Sequence, residues 1–113
     1  MPTIRIDARR ITSWSAFHDV FAKEFGFPKF YGRNMDAWID CMSDLADPGT
    51  GMTKVTGKPP VPVILCIDHI EEMPSDIYQS LIECAAFVNW REMEVGNPAV
   101  LILAFDMPRH RRQ

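Results

Sequence analysis

The chain has 113 residues, 47% of them apolar and 24% charged, with a formal net charge of −3. That length suits one domain, which buries about two thirds of its unfolded surface and needs no disulfide or metal to hold it. The charge excludes a nucleic-acid binder that works by overall positive charge. There is no apolar run of about 18 residues, which excludes a membrane-spanning helix. The start, Met1-Pro2-Thr3-Ile4-Arg5, lacks the charged-then-apolar order of a signal peptide. A cytoplasmic product is expected.

In chain order, Thr3 to Asp7 alternates apolar and polar residues and predicts a strand. Ser13 or Ser15 can cap a helix whose apolar positions are Trp14, Phe17, Val20, Phe21 and Phe25, ended by Gly26 and Pro28. A second helix opens near Asn34 and carries Met35, Trp38, Ile39, Met42 and Leu45 on one side. Its opposite side holds Asp36, Asp40 and Asp44, spaced four apart. Residues 47–60 read as a long Gly/Pro-rich loop, and such loops are often functional. Val61 to Ile67 is nearly all apolar, as in a strand covered on both faces. Pro74 opens a long helix reaching about Glu94, with Ile77, Leu81, Cys84, Ala85, Val88 and, at its end, Met93 on the buried side. Gly96-Asn97-Pro98 stops it, and Ala99 to Phe105 forms a last strand. Pro108 ends the ordered part, and 109–113 is a basic tail. Strands alternating with helices predict an α/β domain over 1–113, with a small parallel sheet of three strands.

Three sites for chemistry come into question. The loop contains Gly57-Lys58 followed by Pro59, which fails the phosphate-loop pattern of Gly, four residues, then Gly-Lys-Ser/Thr. Asp68-His69 follows a buried strand, where α/β enzymes keep their sites. Neighbours on an extended segment point opposite ways, however, so a polar turn is the plainer reading. Cys41, Cys66 and Cys84 are odd in number, widely spaced and without a Cys-x-x-Cys pair, and His18, His69 and His110 form no ligand pair with them. Buried free thiols, no metal and no cofactor are expected.

The aspartate row is the sharpest feature. Residues 34–52 carry four aspartates and no Lys or Arg. Like charges four apart oppose a helix by roughly 0.2–0.5 kcal/mol per pair. Asp36, near a helix start capped by Asn34, complements the macrodipole; Asp40 has no such reason to be there, and Asp44 lies where the dipole opposes it. Phe30 and Tyr31 just upstream predict exposed rings beside carboxylates, a common make-up of a protein-binding surface. An acidic surface of this kind favours a basic partner and speeds its encounter.

The string Tyr31-Gly32-x-Asn34-x-Asp36-Ala37-x-x-Asp40-Cys41 resembles the barstar family of bacterial ribonuclease inhibitors, as does the order of elements. The resemblance implies a barstar-like fold without enzymatic activity. In that family the aromatic loop and acidic helix plug the active site of a secreted guanyl-specific ribonuclease, protecting the cell that makes it. Its carboxylates stand in for substrate phosphates. By resemblance Asp40 is the central phosphate mimic, Asp36 the neighbouring charge, and Phe30 the ring that stacks on the enzyme's catalytic histidine. Asn34 and Gly32 would shape the loop and helix start that deliver them, and Glu92 would be a peripheral acidic contact. Tyr31 and Asp44 join the surface from the aromatic and aspartate pattern itself. The sequence departs from the family's pattern at Phe30, often Tyr there, at Trp38-Ile39, where the tryptophan's place is reversed, and in its longer 47–60 loop.

A cytosolic, monomeric inhibitor forming a 1:1 complex with a basic extracellular-type ribonuclease is the leading expectation. The alternative is an immunity protein against a different nuclease or an unrelated toxin, recognised through the 47–60 loop. A small enzyme built on Asp68 and His69 is the third reading.

Overall fold

The computed structural model describes residues 2–45, 47, 51–55 and 62–106. Part of the expected 47–60 loop, and all of the 109–113 tail, lie outside them. Strand β1 (Thr3–Asp7) leads through a 3-10 turn to helix α1 (Trp14–Phe25), then α2 (Met35–Ser43), β2 (Val63–Asp68), α3 (Ser75–Glu94) and β3 (Leu101–Phe105). The sheet has the order β1-β2-β3, and both pairings are parallel. The α/β domain expected from the alternation of elements is therefore present. No helix among the described residues is long and apolar enough to cross a membrane.

Register decides which strand residues meet the helices. Ile4, Leu65 and Leu103 lie in one row and Ile6, Ile67 and Phe105 in the next. These side chains belong to or pack on the core. The intervening row is Arg5, Cys66 and Ala104, with Arg5 exposed. The apolar run of β2 is thus covered by helices on one face only, since Val63, Leu65 and Ile67 are buried while Ile64 and Cys66 stay half-buried. Two right-handed crossovers running the same way across a 1-2-3 sheet put their helices on the same side.

The helix faces fill that side. Phe17, Phe21 and Phe25 of α1 stack in series, and Trp38 of α2 meets Phe21 edge-on at 5.7 Å. Ile77, Leu81, Ala85 and Val88 close the core from α3. Each of the larger of these side chains contributes roughly 1.5–3 kcal/mol by leaving water. Met93 departs from expectation at 62% exposed, because five residues past Val88 the helix has turned it off the buried face. Cys66 and Cys84 also depart, being only half-buried; Cys41 alone of the three is buried.

The element ends follow local chemistry. Ser13, not Ser15, caps α1, its Oγ accepting from Ala16 N at 3.1 Å. Pro74 stands just before α3, at the N-cap. β3 begins two residues later than expected. There the Asn89 side chain accepts from Val100 N and Leu101 N at 3.0 and 3.1 Å and donates to Leu101 O at 2.9 Å.

Candidate protein-docking surface

The surface is built by the turn between α1 and α2. Gly26 ends α1 in the left-handed conformation (φ 67°), and the Lys54 side chain lies so close that a Cβ there would fall 2.7 Å from its Cγ. Lys54 N also donates to Phe25 O at 2.8 Å, fastening residues 51–55 beside the turn. Phe27 N and Tyr31 N donate back to Ala22 O and Pro28 O, closing two tight bends.

These bends send the two aromatic side chains opposite ways. Phe30 is 77% exposed. Tyr31 is half-buried against Phe27 (4.7 Å between centroids), and its hydroxyl lies 2.6 Å from His18 Nδ1. Burial raises the Tyr31 pKa above the ordinary tyrosine range. Of the two rings expected beside the carboxylates, Phe30 is thus the exposed one, while Tyr31 packs inward against Phe27 and His18.

Arg33 holds the next step. It has φ 56°, unusual for a residue with a Cβ, and its guanidinium reaches back to α1. There Nη1 donates to Asp19 Oδ1 at 2.7 Å, and Nη2 donates to Ser15 O and Oγ at 3.1 and 3.2 Å. Asn34 then caps α2 as its sequence position predicts, Oδ1 accepting from Ala37 N at 2.8 Å.

Along α2, Trp38, Cys41 and Met42 are buried and Asp36 and Asp40 are exposed. Asp44 is the half-buried C-cap residue just past the last turn. A cleft of about 160 Å³ runs between Phe30 and Asp40, with Tyr31, Gly32, Ala37, Cys41 and Met52 as its remaining walls. Met52 belongs to the 47–60 segment, so that segment borders the same cleft. Burial, with the charges of Asp40 and Asp44, pushes the Cys41 thiol up to about 11. It is no nucleophile at neutral pH.

Helix α3 adds a residue that sequence reasoning missed. Arg91 places Nη1 3.6 Å from Asp40 Oδ1, so the row without a nearby base in sequence has one in space. Glu92 is not brought to the row: it is half-buried in the last turn of α3, where its Oε1 accepts from Asn97 Nδ2 at 3.4 Å. One position along a helix rotates a side chain by about 100°, which separates Arg91 from Glu92. The exposed stack of Phe87 on Trp90 beside Arg91 was also missed, and the adjacent string Trp90-Arg91 was the available signal.

Asp68 and His69 do not form a catalytic pair. Arg5 donates to Asp68 twice, Nε to Oδ2 at 3.0 Å and Nη2 to Oδ1 at 3.1 Å. His69, at φ 56°, lies with Nδ1 3.6 Å from Glu71 Oε2. This is the polar turn, not an active site. No group of His, Cys, Asp and Glu fit to hold a metal occurs among the described residues.

Comparison with known proteins bears on the family of the chain. The model of the Barstar (barnase inhibitor) family matches residues 1–97. A protein of Bacillus subtilis (strain 168), named "Putative ribonuclease inhibitor YrdF", is 38% identical over 47 residues. That match takes in 42% of this chain and 52% of the relative, so the chain spans about half the length of the curated relative it matches. Barstar proteins are inhibitors and not enzymes, and the chain, matched over most of its length, belongs to the barstar family.

Proposed function

We propose that this protein is a cytosolic inhibitor of a guanyl-specific, barnase-type ribonuclease, acting as a monomer in a 1:1 complex. It occludes the active site by setting the α2 carboxylates against the cations that hold substrate phosphate. The observation that carries this reading is the cleft whose lining brings together exposed Phe30 and exposed Asp40. Asp40 is the central phosphate mimic, Asp36 and Asp44 extend the charge, and Phe30 offers a ring to the enzyme's histidine. Tyr31 and Asn34 set the approach of loop and helix, and Glu92 is a peripheral contact.

The test is titration into a guanyl-specific bacterial ribonuclease, following RNA cleavage. Wild type is expected to inhibit stoichiometrically. Asp40→Ala is expected to weaken binding by about 3 kcal/mol or more, because it strands the enzyme's cations unpaired. Asp47→Ala should stay within about 0.5 kcal/mol, and association should slow with added salt. Equal effects of the two substitutions would count against the reading.

A second reading, immunity against a different nuclease or an unrelated toxin, is favoured by Met52 at the cleft wall. Deleting the 47–60 segment decides between them: a partner lost with that segment but indifferent to Asp40→Ala supports the second.

A further inference from the structure

The acidic row carries a cation of the chain's own. Arg91 Cζ lies 5.8 Å above the centre of the Phe87 ring, while Nη1 is 3.6 Å from Asp40 Oδ1. Phe87 in turn stacks on Trp90, centroids 5.7 Å apart and planes at 25°. An exposed ion pair of this length is weak by itself. The ring beneath the guanidinium narrows the positions open to it and favours those near Asp40. The Asp40 side chain is still 64% exposed, so a second cation can reach the carboxylate.

We propose that Arg91 is a specificity-determining residue of this docking surface: it holds Asp40 in the free protein as an internal cation, which an arginine of the partner must displace. A partner's cation arriving at Asp40 replaces one pair with another and gains little there. A protein bringing a single charge therefore binds poorly. A partner with clustered cations still gains at Asp36, and Arg91 retains the Phe87 ring when it leaves Asp40. Arg91 also offsets one carboxylate within a Debye length, which lowers the attraction of weakly basic proteins.

The inference rests on the inhibitor reading for the class of partner, yet Arg91 can be tested without the ribonuclease. An oligoarginine peptide is titrated calorimetrically at low salt into wild type, Arg91→Ala, Asp40→Ala, the double variant and Arg10→Ala. Arg10 carries the same charge but pairs with Glu24 of α1, a carboxylate outside the acidic row and half as exposed as Asp40, so freeing it offers the peptide little. Arg91→Ala is expected to bind the peptide roughly twofold to fivefold more tightly than wild type, as fits the loss of one exposed competing ion pair. The gain should vanish in the Asp40→Ala background and be absent from Arg10→Ala. No gain, an equal gain from Arg10→Ala, or a gain that persists without Asp40 would overturn the proposal. The same variants are then assayed against a guanyl-specific ribonuclease. Failure of wild type to inhibit sinks the inhibitor reading, while the peptide series still decides the part of Arg91.

Discussion

The Tyr31 hydroxyl lies 2.6 Å from Nδ1 of His18, which joins the loop that presents Phe30 to the inner side of α1. His18 is 5% exposed, and burial, helped by the charge of Arg33, lowers its pKa. The folded state therefore prefers neutral imidazole.

That preference sets a pH dependence. With the folded pKa below the unfolded value of about 6.5, the stabilisation is present above that pH. It is lost as the pH falls through 6.5 toward the folded value. Urea unfolding midpoints are expected to drop between about pH 7.5 and pH 5, and His18→Gln, which cannot charge, should flatten that slope. An unchanged slope would rule out His18 as its source.

Arg33 tests whether the loop is strained or clamped. Both Arg33→Ala and Arg33→Gly lose the bonds to Asp19 and Ser15. Only glycine takes φ 56° freely, so Arg33→Gly should be more stable than Arg33→Ala by about 1 kcal/mol. Equal stability in urea would mean that the left-handed backbone costs nothing here.

Asn89 supports the edge of β3. Asn89→Ala leaves the amides of Val100 and Leu101, both in buried residues, without their acceptor. A loss of about 1–3 kcal/mol is expected, measured by thermal or urea unfolding. Asn89→Asp, which keeps the Oδ1 acceptor for both amides but loses the Nδ2 donor to Leu101 O, should recover part of it.

Thiol labelling reports on the packing under α2. Cys41 is 1% exposed and its thiol is pushed up to about 11. Iodoacetamide at neutral pH is expected to modify the half-buried Cys66 and Cys84 before Cys41. Cys41 should react only at the rate of unfolding, and fast labelling there would contradict the packed cleft floor.

Much of the fold was legible in the sequence because its signals are short-ranged. The apolar spacing of Phe17, Phe21 and Phe25 marks α1, and the caps at Ser13 and Asn34 sit where their side chains reach the first free amides. The start of β3 was less legible, because an asparagine 11 residues away supplies the bonds that decide where the ladder begins. The candidate site divides in the same way. Asp36 and Asp40 stand exposed on one side of α2 as their spacing requires, whereas the opposite directions of Phe30 and Tyr31 depend on what lies beneath the turn.

By itself the sequence determined the elements, their apolar faces and the row of aspartates, since periodicity and capping act within one or two helical turns. The tertiary structure alone decided the partners of those groups. Arg91 comes to Asp40 because α3 packs beside α2. Arg5 takes Asp68 from 63 positions away because β1 and β2 pair in parallel register. Tyr31 turns inward because His18 offers its hydroxyl a partner in the core. Such pairings are set by which faces meet when helices and strands close on a common core, and no local pattern encodes that meeting.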